Sequence, residues 1–395
     1  MKIIVKTMQG LEGVLAEEIR QLGGTQVKEL KRAVEFEGDK RLLYRANLEL
    51  RTALRVLVHL QDFVAKSPED LYKKILRIPW EQYLDVDKTF AIDATASSEI
   101  FRHSKFAALK VKDAIADYFR NLKGRRPDVN TEFPHLRVNL HINQDQCSLS
   151  LDSTADSLHK RGYRANTLEA PINEVLAAGM ILLSGWDGKT TFVDPMCGSG
   201  TLIIEAALFA THTSPQLHRQ AFGFMKWRDF DKKLWEDILD KAKAQITPLQ
   251  CNILGFDKDM RAVRVSAQNI FSAHLEGQGI KVEKQSIEKL VPPAAPGLLI
   301  TNPPYDERLK EEEIEAFYKM IGDRLKQVFA GYEAWIISSN QEALKHIGLR
   351  PSQKMTLFNG ALECKFQKYE LYEGSRKSEV GNGKSEVGNG KSEAI

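Results

Sequence analysis

A glycine-rich turn joins a strand-like segment to a helix-like segment near the middle of this 395-residue chain. The β-branched and aromatic run Thr190 to Val193 predicts a strand, and the run Leu202 to Phe209 predicts a helix. Between them stands Asp-Pro-Met-Cys-Gly-Ser-Gly-Thr, residues 194–201. In open α/β sheets this order lets backbone N–H groups approach a nucleotide-like ligand. The turn therefore predicts an α/β fold with a ligand site at the carboxyl end of the strand.

The turn differs from two common nucleotide-binding loops. The third glycine of the dinucleotide fingerprint would fall at Ile203, and no Gly-Lys-Ser/Thr follows for a phosphate loop. Asp194 stands at the end of the predicted strand, where a carboxylate can pair with an ammonium group of a ligand.

A second apolar run, Asn252 to Asp257, also ends in an acid and precedes a helical segment from Met260 to Phe271. An acid at the tip of the second strand can accept hydrogen bonds from both hydroxyls of a ribose. The alternative is a helix N-cap, a role that Asp257 or Asp259 would fill equally well.

The segment Ile300-Thr301-Asn302-Pro303-Pro304-Tyr305 has the pattern of a buried strand that runs into a rigid polar corner. The two prolines fix φ and donate no hydrogen bonds, so the nearby carbonyls stay free as acceptors. Asn302 adds a side-chain carbonyl and Tyr305 an aromatic face. Together they suit the amino group of a planar base, held by two acceptors while a ring stacks on the base. The alternative is a strand that ends in a proline-rich turn.

These motifs and several flanking segments resemble a known family. DPMCGSGT (194–201), GFDKD (255–259) and TNPPY (301–305) are similar to motifs I, II and IV of the S-adenosylmethionine-dependent amino-methyltransferases. Four longer segments resemble the RlmL-like 23S rRNA guanine-N2 methyltransferases: SLHKRGYR (157–164), APINEVLAAGM (170–180), NPPYDERL (302–309) and NGALECKF (359–366). The resemblance covers about residues 1–373.

The resemblance implies a Rossmann-like class I methyltransferase domain preceded by an α+β region of ferredoxin-like and THUMP type that binds RNA. The expected division is 1–64 for the ferredoxin-like part, 65–155 for THUMP, 156–373 for the methyltransferase and 374–395 for a disordered repeat tail. Some relatives are fused to a second methyltransferase; since this chain ends in the tail, a single modification is expected. The implied cofactor is S-adenosylmethionine.

The resemblance also implies site residues. The positions that match the family's cofactor-binding positions are Asp194, Pro195, Cys197, Gly198, Ser199, Gly200, Thr201, Asp257, Ser286 and Asn302. The positions that match its catalytic residues are Asn302, Pro303, Pro304 and Tyr305. Two departures stand out: Asp306 replaces the usual glycine, and the third-strand segment 284–286 lacks the acid that many relatives place near adenine.

Charge is unevenly distributed along the chain. Residues 1–165 hold 28 Lys and Arg against 23 Asp and Glu, a net charge of +5, whereas the remainder has a net charge of −2. A basic N-terminal half beside a near-neutral catalytic half suits a polyanionic substrate. The alternative explanation of the basic residues is a charged helix face that is simply exposed to solvent. The candidate RNA-binding residues are Lys105, Lys110, Lys112, Arg125, Arg126, Lys160, Arg161 and Arg164.

Two further patterns concern packing. In a long helix predicted to begin near Ser104, Ile115, Tyr118, Phe119 and Leu122 share one face and are expected to point to a core. An insertion at about 212–248 carries five aromatic residues, which predict local core rather than a base-stacking surface: Phe222, Phe224, Trp227, Phe230 and Trp235.

The link 160–164, with Tyr163 among its basic residues, could bind phosphate and stack on a base or simply form a polar hinge.

Four scattered cysteines without CxxC or Cys/His spacing predict reduced thiols, no metal site and a cytoplasmic protein. No apolar run approaches the roughly 18 residues of a membrane span. The oligomeric state is left open.

The residues themselves predict amino-group methylation, and the resemblance points to guanine N2 in 23S rRNA. An adenine-N6 methylase acting on RNA or DNA is an alternative, because NPPY serves both bases. A non-catalytic RNA-binding assembly factor and a glutamine-methylating enzyme are the other readings. The complete set of motif residues disfavours the assembly factor. A glutamine-methylating enzyme would not explain the basic N-terminal half.

Overall fold

The computed structural model describes residues 1–164, 172–293, 295–304 and 311–372. Tyr305, Asp306 and the tail 374–395 lie outside the described residues, so the predictions made for them stay predictions. Within the described ranges the strands form two seven-stranded sheets, one from the N-terminal part of the chain and one from the C-terminal part.

The N-terminal sheet has the strand order β2-β3-β1-β4-β7-β6-β5. Its elements are β1 (Lys2–Lys6), α1 (Glu12–Leu22), β2 (Thr25–Leu30), β3 (Ala33–Glu37), α2 (Lys40–Glu49), β4 (Arg55–Val64), α3 (Pro68–Leu76), β5 (Phe90–Ser97), α4 (Ser104–Lys123), β6 (Leu136–Asn143) and β7 (Gln146–Asp152). Strand β4 pairs with β1 on one side and with β7 on the other. The parts expected to be ferredoxin-like and THUMP therefore share one continuous sheet.

The C-terminal sheet has the order β10-β9-β8-β11-β12-β14-β13. Its elements are α5 (Glu174–Ser184), β8 (Thr191–Asp194), α6 (Thr201–Ala210), α7 (Lys232–Ala244), β9 (Ile253–Asp257), α8 (Met260–Ser272), β10 (Ile280–Lys284), β11 (Gly297–Thr301), α9 (Glu311–Val328), β12 (Tyr332–Ser338), α10 (Gln341–Lys345), β13 (Gln353–Asn359) and β14 (Leu362–Glu370). Strands β8 to β12 pair in parallel, and β14 runs antiparallel to β12.

The chain order reverses between β8 and β11. From β8 it proceeds outward to β9 and β10, and then returns to place β11 on the other side of β8. At such a switch point the connections leave opposite faces of the sheet, so a crevice opens at the carboxyl ends of the two strands. This topology places the glycine turn after β8 beside the proline corner after β11.

Helix α4 confirms most of the predicted apolar stripe. Ile115 and Phe119 are fully buried, and Tyr118 packs at the edge of the same core. The prediction for Leu122 is wrong, because its side chain is 54% exposed. The buried residues of α4 end at Phe119, and Leu122 lies in the last turn before the left-handed Gly124 that ends the helix.

The aromatic insertion forms core, and that core includes the N-terminal region. Phe222, Phe224 and Trp235 are buried. The Phe224 ring stacks on Tyr44 of α2 with 4.2 Å between ring centroids. The prediction of packing rather than base stacking is confirmed for these residues, and the insertion fastens the two halves of the chain together.

Within the described ranges no helix is long and apolar enough to cross a membrane. All four cysteines are free thiols. Burial raises the pKa of Cys147 and of Cys251 to about 11, so both stay protonated at neutral pH.

Candidate functional site

The glycine turn leaves open space above its backbone. Gly198 and Gly200 have φ of 54° and 82°, a left-handed conformation that suits glycine. A Cβ added at Gly198 would meet no atom within 4 Å, whereas one added at Gly200 would lie 3.0 Å from the Ser266 hydroxyl. The backbone at Gly198 is therefore accessible, while Gly200 permits close packing of the turn on α8.

The neighbouring strand fixes the turn in place. The Cys197 N–H donates to the Phe256 carbonyl (2.8 Å), and the Gly198 N–H donates to Asp257 Oδ2 (3.1 Å). Asp259, not Asp257, caps α8, by accepting from the Arg261 N–H at 2.8 Å. The N-cap alternative thus belongs to Asp259, and Asp257 holds its carboxylate at the turn.

Asp194 links the turn to the proline corner. Its side chain is buried, and its Oδ1 accepts hydrogen bonds from the Thr301 hydroxyl (2.9 Å) and the Met196 N–H (3.2 Å). Burial raises the pKa of Asp194 to about 7, against the opposing effect of these two donors. Thr301 was not predicted as a site residue; the only signal was a hydroxyl at the end of an otherwise apolar strand.

The proline corner follows directly from buried β11. Thr301 is fully buried, Asn302 is half-buried, Pro303 is buried and Pro304 is exposed. Since Thr301 bonds to Asp194, the residue after it starts at the same edge as the glycine turn. Asn302 and Pro303 therefore directly follow a residue that is hydrogen-bonded to Asp194 at the start of the turn.

Several predicted cofactor-binding residues have buried side chains. Pro195, Cys197, Ser199 and Thr201 are buried, so contact with a ligand would come from their backbone rather than from their side chains. The Ser199 carbonyl accepts from the Asn269 side chain at 2.9 Å. Burial raises the pKa of the Cys197 thiol, which is therefore neutral.

Ser286 lies two residues after the end of β10 and is half-buried. Its side chain hydrogen-bonds to the Glu288 carboxylate, and this bond lowers the pKa of Glu288. The structure places Ser286 next to the end of the strand that neighbours β9, which is where the family resemblance expects an adenine contact.

The predicted RNA-binding residues divide into two groups. Lys105, Arg125, Arg126 and Lys160 are exposed, and Lys110 and Lys112 are half-buried at the surface of α4. Some of these cations already have acidic neighbours: Lys112 pairs with Asp113 at 2.9 Å, Lys160 lies 3.7 Å from Asp156, and Arg125 bonds to Asp87.

The predictions for Arg161 and Arg164 as RNA-binding residues are wrong. The Arg161 side chain is 1% exposed and pairs with Glu205, so it cannot reach a phosphate. Arg164 points inward, where it bonds to Thr201 Oγ1 (2.9 Å) and the Ile172 carbonyl (2.9 Å). Tyr163 is also buried and cannot stack on a base, which leaves the polar-link alternative.

Three family models match the chain. The model described as "RMKL-like, methyltransferase domain" matches residues 161–368, which include the glycine turn and the proline corner. The chain belongs to this family. A THUMP domain model matches residues 65–152 and an RlmL ferredoxin-like domain model matches residues 2–57. The predicted fold class and family are therefore confirmed.

Similar proteins of known sequence support the assignment. A putative RNA methyltransferase of Synechocystis sp. is 41% identical over 366 residues, covering 92% of this chain and 95% of the relative. The ribosomal RNA large subunit methyltransferase K/L of Syntrophotalea carbinolica is 40% identical over 386 residues, covering 94% of this chain and 54% of the relative. The chain thus spans about half the length of the K/L relatives that it matches.

Solved structures of similar proteins share most of the fold. A putative methyltransferase complexed with SAH has a TM-score of 0.86 and 28% identity, covering 94% of this chain and 98% of the other. A predicted N6-adenine-specific DNA methylase from Listeria monocytogenes has a TM-score of 0.84 and 29% identity, covering 94% and 96%.

Proposed function

We propose that this protein transfers a methyl group from S-adenosylmethionine to the exocyclic N2 amino group of a guanine in 23S rRNA, in the cytoplasm. The observation that carries the proposal is the Thr301–Asp194 hydrogen bond, which ties the proline corner to the glycine turn. The names of the K/L relatives supply the rRNA substrate class.

The residues at the turn fit the cofactor. Open space above Gly198 admits a ligand close to the backbone, and Asp257 presents a carboxylate at the ribose-binding position of such folds. Asp194 offers a buried carboxylate that an ammonium group would stabilise in its charged form. The SAH complex of a structural neighbour is consistent with this use of the same fold.

The cofactor, when bound, supplies an activated methyl group, so the protein's task is alignment. Correct orientation can lower a barrier by roughly 7–11 kcal/mol. The Asn302 side-chain carbonyl and the Pro303 backbone carbonyl would accept the two N–H bonds of the amino group and direct its lone pair. Tyr305 is proposed to stack on the flipped base. The proton can leave after transfer, so a strong general base is not required.

We propose that the N-terminal region recognises the RNA and that residues 156–373 carry the chemistry, with boundaries near residues 64 and 155. The THUMP match covers the most basic part of the chain, including α4. A polyanion held there would be presented to a near-neutral catalytic domain.

Adenine-N6 methylation is the second candidate function. The name of the Listeria structural neighbour, a predicted N6-adenine-specific DNA methylase, favours it, and two carbonyl acceptors suit either amino group. The two readings are separated by mass spectrometry of nucleosides from rRNA of cells with and without the gene. Loss of N2-methylguanosine supports the proposal, and loss of N6-methyladenosine supports the alternative. If neither nucleoside changes, the rRNA methyltransferase proposal fails.

Cofactor affinity is expected to rise with pH. Because burial raises the pKa of Asp194 to about 7, the carboxylate is largely protonated at pH 6 and largely ionised at pH 8. If only the ionised form pairs with the ammonium group, the affinity increases about tenfold across this interval. Titration calorimetry in two buffers would also detect a proton released on binding near pH 7.

The matched control for this prediction is Asp194→Asn, which should bind weakly and show a flat pH profile between pH 6 and 8. A flat profile for the unmodified protein would contradict the role given to Asp194.

Charge reversal on α4 is expected to weaken RNA binding. Lys110→Glu with Lys112→Glu should make the slope of log K against log salt shallower by about 1 to 2, since each phosphate contact contributes roughly 0.7–0.9. Binding to an rRNA fragment over a salt series measures this slope. The control reverses Lys232 and Lys243 on α7, whose side chains are 78% and 61% exposed. Equal slopes for both double variants would place the RNA surface elsewhere.

A further inference from the structure

Helix α6 begins at the glycine turn, and side chains from outside the helix hold it at three levels. Arg164 bonds to Thr201 in the first turn, Arg161 and Tyr163 bond to Glu205 in the middle, and Arg51 bonds to the Leu208 carbonyl near the end. We call these four side chains, Arg51, Arg161, Tyr163 and Arg164, the α6 clamp. They come from the N-terminal region and from the link that follows it.

The first contact lies directly beneath the glycine turn. Arg164 Nη2 donates to Thr201 Oγ1 at 2.9 Å and lies 3.3 Å from Glu174 Oε1 at the start of α5. Thr201 is the first residue of α6 and follows the left-handed Gly200. Arg164 therefore ties the beginning of α5 to the end of the glycine turn.

The middle and end contacts connect the helix to the N-terminal region. Glu205 Oε1 accepts from the Tyr163 hydroxyl (3.0 Å) and from Arg161 Nε (3.4 Å). Arg161 in turn donates to the Arg51 carbonyl. Arg51 Nη2 donates to the carbonyls of Leu208 (3.0 Å) and Thr213 (2.9 Å), and its backbone N–H donates to Glu18 of α1 at 2.7 Å.

The clamp is not built for maximal stability. Among the described side chains, buried atoms without a hydrogen-bond partner include Arg51 Nη1, Arg164 Nε, Glu174 Oε2 and Glu205 Oε2. Such atoms cost free energy, and a buried ion pair is often no more stable than an apolar replacement of similar volume. The contacts of Arg164 with Thr201 and Glu174 place a buried ion pair directly at the cofactor turn, which favours a positioning role.

We infer that Arg164 is a positioning residue for the cofactor turn, within a clamp whose other members tie α6 to the N-terminal region. The inference rests on the proposed function, since the turn is taken to bind S-adenosylmethionine. Arg164 need not touch the cofactor; it acts through Thr201 and Glu174.

The test compares Arg164→Lys with Arg137→Lys in the full chain. Arg137 is a matched control: like Arg164, it is largely buried (14% exposed), pairs with a carboxylate (Asp93, at 3.1 Å) and has a buried Nε without a hydrogen-bond partner. Unlike Arg164, it lies in the N-terminal sheet. Lysine keeps the charge but loses the forked geometry. For R164K we expect the dissociation constant of S-adenosylmethionine to rise by about two- to thirtyfold, the range typical of positioning networks. R137K should leave it unchanged.

Amide hydrogen exchange of residues 197–202 without cofactor provides a second readout. Faster exchange at the turn is expected in R164K and not in R137K, because local opening follows the loss of the anchoring bonds. Glu174→Gln preserves the shape of the side chain and should also raise the dissociation constant of the cofactor. This variant replaces R164K in the test if R164K does not fold. Cofactor affinities of R164K or E174Q equal to that of R137K would overturn the inference while leaving the proposed function intact. No measurable cofactor binding by the unmodified protein would overturn both.

Discussion

Replacing Asn302 with alanine is expected to lower the turnover number by about 100- to 1,000-fold, the loss typical of removing one preorganised hydrogen-bonding group from a transition state. The side-chain carbonyl that we propose to orient the amino group would be missing, while Asp194 and Asp257, which are predicted to hold the cofactor, stay in place. Cofactor affinity should therefore be largely retained. Steady-state methylation of an rRNA fragment and calorimetric titration with S-adenosylmethionine measure the two quantities.

Asn340→Ala is the matched control. Asn340 follows the adjacent strand β12 and caps α10 by accepting from the Ala343 N–H at 2.9 Å. Its replacement should cost about 1 kcal/mol of stability, as for other N-caps, and leave turnover near that of the unmodified protein. If Asn302→Ala and Asn340→Ala turn over equally fast, Asn302 does not orient the substrate amino group.

The largest effect on stability is expected for Glu205→Ala. The Glu205 and Arg161 side chains are 0% and 1% exposed, so the substitution leaves a buried guanidinium without its counter-charge. Removing one partner of a buried ion pair costs about 3–5 kcal/mol. Urea unfolding followed by tryptophan fluorescence should show an earlier transition for the variant.

Glu236→Ala provides the comparison for that experiment. Glu236 lies on α7, is 55% exposed and pairs with Lys232 at 3.6 Å, so its loss should change stability by less than about 1 kcal/mol. Equal unfolding midpoints for Glu205→Ala and Glu236→Ala would mean that the buried Arg161 finds another partner or becomes hydrated.

The parts of the fold that sequence reasoning predicted are those with a local cause. The glycine turn, the apolar strands around it and the helices that follow have patterns set by neighbouring residues. Strand β2 has no alternating apolar pattern in the sequence: its side chains are exposed or half-buried, and its pairing with β3 shifts register between Thr25 and Lys28. An edge strand of this kind is defined by its partner, which sequence patterns do not reveal.

The same distinction applies to the site. The sequence predicts that Asp194 and Asn302 lie at one edge of the sheet, because each stands at the end of an apolar strand and parallel strands bring such ends together. Arg161 and Arg164 were misassigned because a cluster of cations on a link resembles a phosphate-binding segment. Their partners are Glu205, far along the chain, and Glu174, beyond a connecting segment. Only the folded structure brings these acids to the arginines and turns apparent surface charge into interior pairing.

Strand β4 belongs to both halves of the N-terminal sheet, since residues 55–58 pair with β1 and residues 57–64 pair with β7. Two halves that share a strand cannot swing about a hinge between them. The N-terminal region is also packed against the C-terminal half, where the Phe224 ring stacks on Tyr44, so an RNA docked on this region would lie at a set distance from the proposed catalytic pocket. The nucleotide that the protein modifies would then be selected by its distance from the docked element as well as by its own base.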